Sequence, residues 1–154
     1  MNQTILIIDD CTDIARIISR YLETASYRTV SAPNGVAARR LLEHMTPDCI
    51  ILDLMMPGMS GTELLHSLRN DPRTADIPII LVSARVGHYG THFRTQFDVD
   101  YSVGKPFTRQ QIVGAVATVL ARKAGEDPES DAVPPPAAIR LGRLYEKGYV
   151  TLNR

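Results

Sequence analysis

The sequence has little cysteine, no excess of charge and no long apolar run, and each absence excludes a class of protein. Its two cysteines, Cys11 and Cys49, lack the repeated spacing of a disulfide framework or a zinc site. Seventeen basic residues balance seventeen acidic ones, which argues against a protein-wide nucleic-acid surface. No apolar run approaches membrane-spanning length, and no secretion signal is evident. We therefore expect a cytoplasmic protein.

The remaining composition is that of an ordinary globular protein. The chain has 154 residues, of which 44% are hydrophobic and 22% are charged. A chain of this length fits one domain with a short extension and buries roughly two-thirds of its unfolded surface. A hydrophobic core is therefore expected to form without disulfides.

Strand-like and helix-like segments alternate five times along the chain. The second strand is the most polar, which favours a place at the edge of the sheet. The alternation predicts an α/β protein of the flavodoxin-like (βα)5 type, a doubly wound parallel five-stranded sheet in the order 2-1-3-4-5. The predicted strands are Thr4–Ile8, Arg28–Ala32, Cys49–Leu52, Pro78–Val82 and Tyr101–Val103.

Apolar residues at helical spacing predict the helices between the strands. In the first helix, Ile14, Ile17 and Ile18 are assigned to the inner face. Two capping boxes, Ser60 to Glu63 and Thr108 to Gln111, predict the starts of the third and the last helix.

The pattern is weaker between the fourth and fifth strands. Gly87 and Gly90 each disfavour a helix by about 1 kcal/mol relative to alanine. A short helix is expected from near Thr91.

After Lys123 the composition changes. We expect one folded domain over residues 1–124, an acidic, proline-rich linker over 125–136 and a short tail over 137–154 whose apolar spacing favours a helix.

Polar side chains follow four of the predicted strands. Asp9 and Asp10 follow the first, Asp53 the third, and Ser83 the fourth, while Lys105 follows the fifth. The carboxyl ends of parallel strands meet at one edge of an open sheet, where ligands bind. The sequence therefore predicts three carboxylates, a hydroxyl and an ammonium on one rim.

Three carboxylates at one place repel one another. Two unit charges about 4 Å apart interact by about 4 kcal/mol at an effective dielectric near 20. Either protons or a cation must relieve this repulsion, and hard oxygen ligands at a partly hydrated site suit Mg²⁺.

Each residue taken alone has a simpler interpretation. An aspartate after a strand is often a turn or cap residue, and Asp10 could cap the helix that begins near Thr12. Ser83 alone would be a turn hydroxyl, and Lys105 alone a solvated charge. The order of the four strand ends favours a common site over coincidence.

At this point the residues resemble a known family, the CheY-like receiver domain of bacterial two-component response regulators. The resemblance covers about Thr4 to Arg122. It rests on four motifs: Ile7-Ile8-Asp9-Asp10, the run from Leu52 to Gly61, Val82-Ser83-Ala84 and Lys105-Pro106-Phe107.

The resemblance implies a role for each acidic residue. Asp53 matches the phosphoacceptor, which takes a phosphoryl group from a phosphohistidine. Asp10 and Asp53 match direct Mg²⁺ ligands, and Asp9 matches a residue that holds the metal largely through water. Met55 would offer its backbone carbonyl to the metal.

The resemblance also covers the other end of the site. Ser83 would hydrogen-bond a phosphoryl oxygen and Lys105 would pair with another, with the Lys105–Pro106 bond cis. One position departs from the family: Ser102 stands where an aromatic residue is usual, and Tyr101 lies one residue earlier, on the opposite strand face.

The implied partners are a sensor histidine kinase or a phosphotransfer protein upstream. Downstream, the resemblance implies a protein target or a second copy, bound through the face of the fourth and fifth strand–helix units or through the tail. No DNA-binding domain is evident in the 18 residues of the tail. The chain is either a stand-alone receiver or the regulatory part of something longer.

Two rival functions use the same residues. A Mg²⁺-dependent aspartyl phosphohydrolase carries a second aspartate two residues after the first, where this chain has Met55, so a turnover enzyme is not expected. A receiver-like interaction module that is never phosphorylated is the other rival. The pair His88 and His92 lacks the glutamate of a zinc-protease motif, which favours solvated loop histidines.

Overall fold

The computed structural model describes residues 2–84 and 99–126, which form five strands and four helices. The strands are β1 (Thr4–Ile8), β2 (Arg28–Ala32), β3 (Cys49–Leu52), β4 (Ile79–Ser83) and β5 (Tyr101–Gly104). The helices are α1 (Thr12–Glu23), α2 (Gly35–His44), α3 (Gly61–Asn70) and α4 (Arg109–Lys123). Within the described part of the chain, none of the helices combines the length and the apolar character that a membrane span needs.

Some expectations lie outside the described residues. They are the short helix near Thr91, the histidines at 88 and 92, the linker from residue 127 onward and the tail over 137–154.

The strands form one parallel sheet in the order β2-β1-β3-β4-β5, which confirms the predicted fold. β2 lies at one edge, as its polarity predicted. Ile8 is aligned with Ala32 on one side and with Leu52 on the other, and Leu52 is aligned with Leu81. The carboxyl ends of the central strands are therefore level.

The fourth strand begins one residue later than predicted and includes Ser83. Pro78 has no amide hydrogen to donate, so it lies just before the strand, although its carbonyl accepts a hydrogen bond from the Ile50 amide at 2.9 Å. Ser83 continues the strand because its carbonyl accepts from the Lys105 amide at 3.1 Å.

Alternate residues of the strands supply two hydrophobic cores, one on each face of the sheet. Side chains such as Ile7, Ile51 and Val82 pack against α1 and α4. Their neighbours, such as Ile8 and Leu52, pack against α2 and α3. The sheet is therefore covered on both faces, as a doubly wound fold requires.

The starts of α1, α3 and α4 agree with the sequence, but the cap of α1 does not. Both capping boxes are present, at Ser60 with Glu63 and at Thr108 with Gln111. Asp10 does not cap α1, because Cys11 occupies the N-cap position and makes no side-chain capping bond.

The inner face of α1 is narrower than predicted. Its buried residues are Ala15, Ile18 and Leu22, which recur at intervals of three and four. Ile17 is 43% exposed, so its assignment to the inner face was wrong. It lies about 100° around the helix from Ile18, which takes it off that apolar stripe.

Candidate functional site

Two buried carboxylates lie side by side where the central strands end. Asp9 follows β1 and Asp53 follows β3, and only 3% and 4% of their surfaces are exposed. The Asp53 amide donates to the Ile8 carbonyl at 2.9 Å, and the Asp9 amide donates to the Ala32 carbonyl at 3.2 Å. The backbone ladder thus continues past each strand and fixes both aspartates.

A third carboxylate completes an acidic cluster. Asp10 is exposed, and one carboxylate oxygen from each of Asp9, Asp10 and Asp53 lies within 4.8 Å of the others. Three hard oxygen donors at this spacing, two buried and one open to solvent, fit a divalent cation such as Mg²⁺, which keeps several waters when bound to protein.

An ammonium group bridges the two buried carboxylates. The Lys105 Nζ donates to Asp9 Oδ2 at 3.0 Å and to Asp53 Oδ2 at 3.2 Å. Lys105 follows β5, and its peptide bond to Pro106 is cis, in agreement with the expectation from the sequence. One positive charge against three negative ones leaves a net charge of −2 if all three carboxylates ionise, which a divalent cation would balance.

Backbone amides satisfy the remaining oxygens of the buried pair. The Cys11 amide donates to Asp9 Oδ1 at 2.8 Å, and the Met55 amide donates to Asp53 Oδ1 at 3.0 Å. Each buried carboxylate therefore has one backbone donor and shares one ammonium. This arrangement holds both side chains in place and leaves the exposed Asp10 beside them.

Burial and charge compete in setting the pKa values of two groups, and both pKa values are raised, for different reasons. Burial raises the pKa of the Asp53 carboxyl, and it outweighs the Met55 amide and the Lys105 ammonium, which both lower it. Burial alone would lower the pKa of Lys105, but the hydrogen bonds and charges of Asp9 and Asp53 together raise it. Lys105 therefore holds its proton more firmly than a free lysine does, while burial disfavours the ionised form of Asp53.

The structure also locates the two other predicted site residues. Ser83 is fully buried at the end of β4, where it is aligned with Gly104, the residue before Lys105. The Met55 side chain is 45% exposed, while its amide is bound at Asp53. All the residues assigned to the site from the sequence thus lie at the same edge of the sheet.

Tyr101 and Ser102 occupy opposite faces of β5. Tyr101 packs with Val103 in the core beneath α1 and α4, whereas Ser102, aligned with Leu81, is fully buried on the other face. The opposite placement of the two side chains was predicted from the alternation of the strand.

One contributor to the site was missed in the sequence. The sequence places Gly61 in the capping box at the start of α3 and at the end of the Leu52–Gly61 motif, without a role of its own. In the structure it is buried, and its amide donates to the Leu54 carbonyl at 3.2 Å, directly beside Asp53. A glycine immediately after a capping serine was the available signal, but no local pattern shows which backbone approaches it.

Comparison with known proteins gives one family. The response regulator receiver domain family matches residues 5–117. The chain is 35% identical over 130 residues to the phosphate regulon transcriptional regulatory protein PhoB of Pseudomonas aeruginosa, covering 84% of this chain and 57% of that protein. It is 33% identical over 150 residues to the DNA-binding dual master transcriptional regulator RpaA of Synechocystis, covering 96% and 58%. The chain thus spans less than two-thirds of these relatives.

Solved structures agree with this result. The receiver domain of a Francisella response regulator is 28% identical, with a TM-score of 0.68 over 79% of this chain and 98% of that one. A CheY-like response regulator receiver domain protein from Methanospirillum hungatei, at 22% identity, has a TM-score of 0.74 over 82% and 100%. The second likeness is one of fold.

Proposed function

The chain belongs to the response regulator receiver family, and we propose that it is a phosphorylation switch whose phosphoacceptor is Asp53. The phosphoryl donor is the phosphohistidine of a sensor histidine kinase or of a phosphotransfer protein. The observation that carries this proposal is the Lys105 ammonium, which is shared between Asp9 and Asp53 beside the open carboxylate of Asp10.

The chemistry asks for positioning and charge neutralisation more than for covalent work by the protein. A carboxylate oxygen of Asp53 attacks phosphorus, the bond from phosphorus to the donor nitrogen breaks, and the freed imidazole keeps that electron pair. The product is an acyl phosphate, which water later hydrolyses, so the mark is temporary.

The residues around Asp53 have separate roles in this proposal. Lys105 pairs with one phosphoryl oxygen, and the Ser83 hydroxyl hydrogen-bonds another. Mg²⁺, held by Asp10, Asp53 and the Met55 carbonyl and through water by Asp9, would supply further neutralisation of the phosphoryl charge. Before transfer, the lysine bridge holds the two buried carboxylates in place.

The output follows from the added charge. A phosphoryl group brings about two negative charges and new acceptor oxygens, which draw Ser83 toward Asp53 and bias the surface beside β4 and β5. We assign the output to a protein target or a second copy bound at the face of the fourth and fifth strand–helix units, or at the tail. The division into a receiver over 1–124, a linker over 125–136 and a tail over 137–154 is part of this proposal.

The switch acts stoichiometrically: each chain accepts one phosphoryl group on Asp53, and hydrolysis then regenerates the free carboxylate. It does not turn over small substrates repeatedly. We place its action in the cytoplasm. Cys11 and Cys49 are both unpaired thiols, which suits a reducing compartment.

Incubation of the chain with acetyl phosphate and MgCl₂ tests the proposal. Intact-mass measurement is expected to show one added phosphoryl group on the wild type and none on Asp53→Ala. Asp76→Ala, which removes an exposed acid in the loop after α3, is the matched control and is expected to be phosphorylated normally.

The rival functions give different results in the same experiment. Equal phosphorylation of Asp53→Ala and the wild type would overturn the assignment of the acceptor. Sustained release of phosphate over many turnovers would favour a hydrolase. Binding of neither phosphoryl group nor Mg²⁺ by folded protein would favour an interaction module.

A further inference from the structure

Gly61, the first residue of α3, packs directly against the backbone of the phosphoacceptor segment. A Cβ atom added to Gly61 would lie 2.4 Å from the Leu54 Cα and 2.6 Å from the Asp53 carbonyl oxygen. Non-bonded carbon atoms are normally about 3.5–4.0 Å apart. The space at this position therefore admits no side chain, not even a methyl group.

The contact closes the loop that carries Met55. This loop leaves β3 at Asp53 and enters α3 at Gly61. The Gly61 amide donates to the Leu54 carbonyl, which joins the two ends of the loop. The side chains of Leu54 and Met56 are buried beneath it. The backbone at Met55, which lies between these two anchors, is therefore fixed by how closely Gly61 approaches Leu54.

The acceptor carboxylate is coupled to the same segment. The Met55 amide donates to Asp53 Oδ1 at 3.0 Å, and the Asp53 carbonyl is one of the atoms that a Gly61 side chain would strike. Both obstructing groups belong to the backbone that follows β3, so neither can rotate away as the end of a side chain could. A side chain at position 61 must displace the backbone from Asp53 to Met55 or push α3 outward.

We propose that Gly61 is a positioning residue: its lack of a side chain sets the places of the Asp53 carboxylate and the Met55 carbonyl, and through them the affinity of the site for Mg²⁺. This inference rests on the function proposed above. Mg²⁺ demands nearly ideal octahedral geometry with short ligand distances, so a displaced ligand costs affinity directly.

Other glycines of the chain supply a graded set of controls. At Gly35 an added Cβ would lie 2.6 Å from the Met59 Sδ, the flexible part of a side chain that can move. At Gly104 and Gly114 it would meet nothing within 4 Å. None of these glycines, nor Gly61, has a positive φ, so alanine at each position tests space and not backbone strain.

The experiment compares Gly61→Ala with Gly35→Ala, Gly104→Ala and Gly114→Ala in the full chain. MgCl₂ is titrated by calorimetry and by NMR of the backbone amides, well below each variant's melting temperature. Amide hydrogen exchange of Met55 is measured without metal, as a readout of the bond to Asp53 that needs no phosphoryl transfer.

We expect Gly61→Ala to weaken Mg²⁺ binding about ten-fold, in the range seen when groups that orient metal ligands are altered. Its Met55 amide is expected to exchange faster than in the wild type. Gly104→Ala and Gly114→Ala are expected to keep wild-type Mg²⁺ affinity within about two-fold. Gly35→Ala is expected to have an affinity between those of Gly61→Ala and the wild type, because Met59 can move.

The inference is overturned if Gly61→Ala melts at a lower temperature but binds Mg²⁺ and protects the Met55 amide as the wild type does. If that variant does not fold, hydrogen exchange of the wild-type protein tests the inference instead. MgCl₂ is then expected to slow exchange at the Met55 and Gly61 amides together, and protection of Met55 alone overturns the coupling. Folded wild type that binds no Mg²⁺ overturns the proposed function, while metal-free exchange of the variant still tests the geometry.

Discussion

The Lys105 ammonium and the Asp53 carboxylate, 52 residues apart in the chain, lie 3.2 Å from each other at the carboxyl edge of the sheet. The same ammonium lies 3.0 Å from Asp9. Only 16% of the lysine side chain is exposed, so this bridge is shielded from solvent in a way that ordinary surface ion pairs are not. It neutralises one of the charges that three clustered carboxylates bring together.

Removal of the bridging charge should impair both folding and chemistry. In Lys105→Met the two buried carboxylates lose their common donor, and we expect the free energy of unfolding at neutral pH to fall by about 1–3 kcal/mol. The rate of phosphorylation by acetyl phosphate should fall at least about ten-fold, because one charge facing the phosphoryl group is lost. Urea unfolding and intact-mass time courses measure the two effects.

Lys123→Met is the matched control for this variant. Lys123 is exposed in the last turn of α4, away from the acidic cluster, so both quantities should stay near wild type. A phosphorylation rate for Lys105→Met equal to that of Lys123→Met would contradict the assigned role of the lysine.

The raised pKa of Asp53 predicts how stability responds to pH. Because the folded chain holds the Asp53 proton more tightly than the unfolded chain, ionisation of this group costs stability as pH rises through the ordinary aspartate range, near 3.9, and up to the raised value. Asp53→Asn removes that cost and keeps an acceptor for the Met55 amide. Without metal at pH 7, we expect the variant to be more stable by about 1 kcal/mol.

The gain from Asp53→Asn should shrink as pH falls toward the ordinary aspartate range, because the wild-type carboxyl then takes up its proton. Asp9, Asp10 and Lys105 face this group and are common to both proteins. Chemical denaturation at a series of pH values measures the difference directly. A gain that is absent at pH 7, or that grows on acidification, would show that burial of the Asp53 charge is not the dominant cost.

Mg²⁺ should reverse the order of stability of the wild type and Asp53→Asn. A ligand that binds only the folded state stabilises it by about 2.7 kcal/mol at one hundred times its dissociation constant. The wild type should gain this increment as MgCl₂ is added, while Asp53→Asn, with one ionised ligand fewer, should gain much less. Melting curves in MgCl₂ and in NaCl of equal ionic strength separate binding from screening. Equal shifts in the two salts would argue against a specific site.

A second polar cluster lies at the amino-terminal ends of β4 and β5, away from the acidic site. It should affect stability without affecting that site. The Arg69 Nη1 donates to the carbonyls of Ala75 and Ile77, both at 2.8 Å, and its Nη2 lies 3.1 Å from Asp100 Oδ2. The same Asp100 oxygen accepts from the Ile79 amide at 2.9 Å. Arg69→Met should therefore cost about 2 kcal/mol in urea unfolding, with Mg²⁺ affinity unchanged.

Arg73→Met provides the comparison for Arg69→Met. Arg73 pairs with Asp71 at 2.8 Å, but its side chain is 67% exposed, so its loss should leave the free energy of unfolding close to that of the wild type. A similar cost for the two substitutions would contradict the importance assigned to the Arg69 contacts.

The fold and the convergence of charged residues could be predicted because both follow from short-range patterns. Buried parallel strands appear as apolar runs, and the residue after each run must lie at the common edge. The sequence therefore predicts that Asp9, Asp53 and Lys105 lie together. The buried face of α1 was harder to predict. Ile17 and Ile18 are equally apolar, and only tertiary packing determines that Ile18 is the buried one.

The finer organisation of the site could not be predicted for a different reason. Which carboxylates share the Lys105 ammonium depends on side-chain geometry across three strands. The close approach of Gly61 to Leu54 depends on how an eight-residue segment folds back on itself. Neither relationship has a signature in local sequence, because its partners are brought together by the sheet.

The acidic residues extend from β1 and β3, and each of these strands has a bonded neighbour on both sides, whereas β2 and β5 form the margins of the described sheet. Moving either of the buried carboxylates would therefore disturb hydrogen bonds to two neighbouring strands. Substitutions along the margins can reshape what the molecule presents to other proteins while the carboxylates stay where they are.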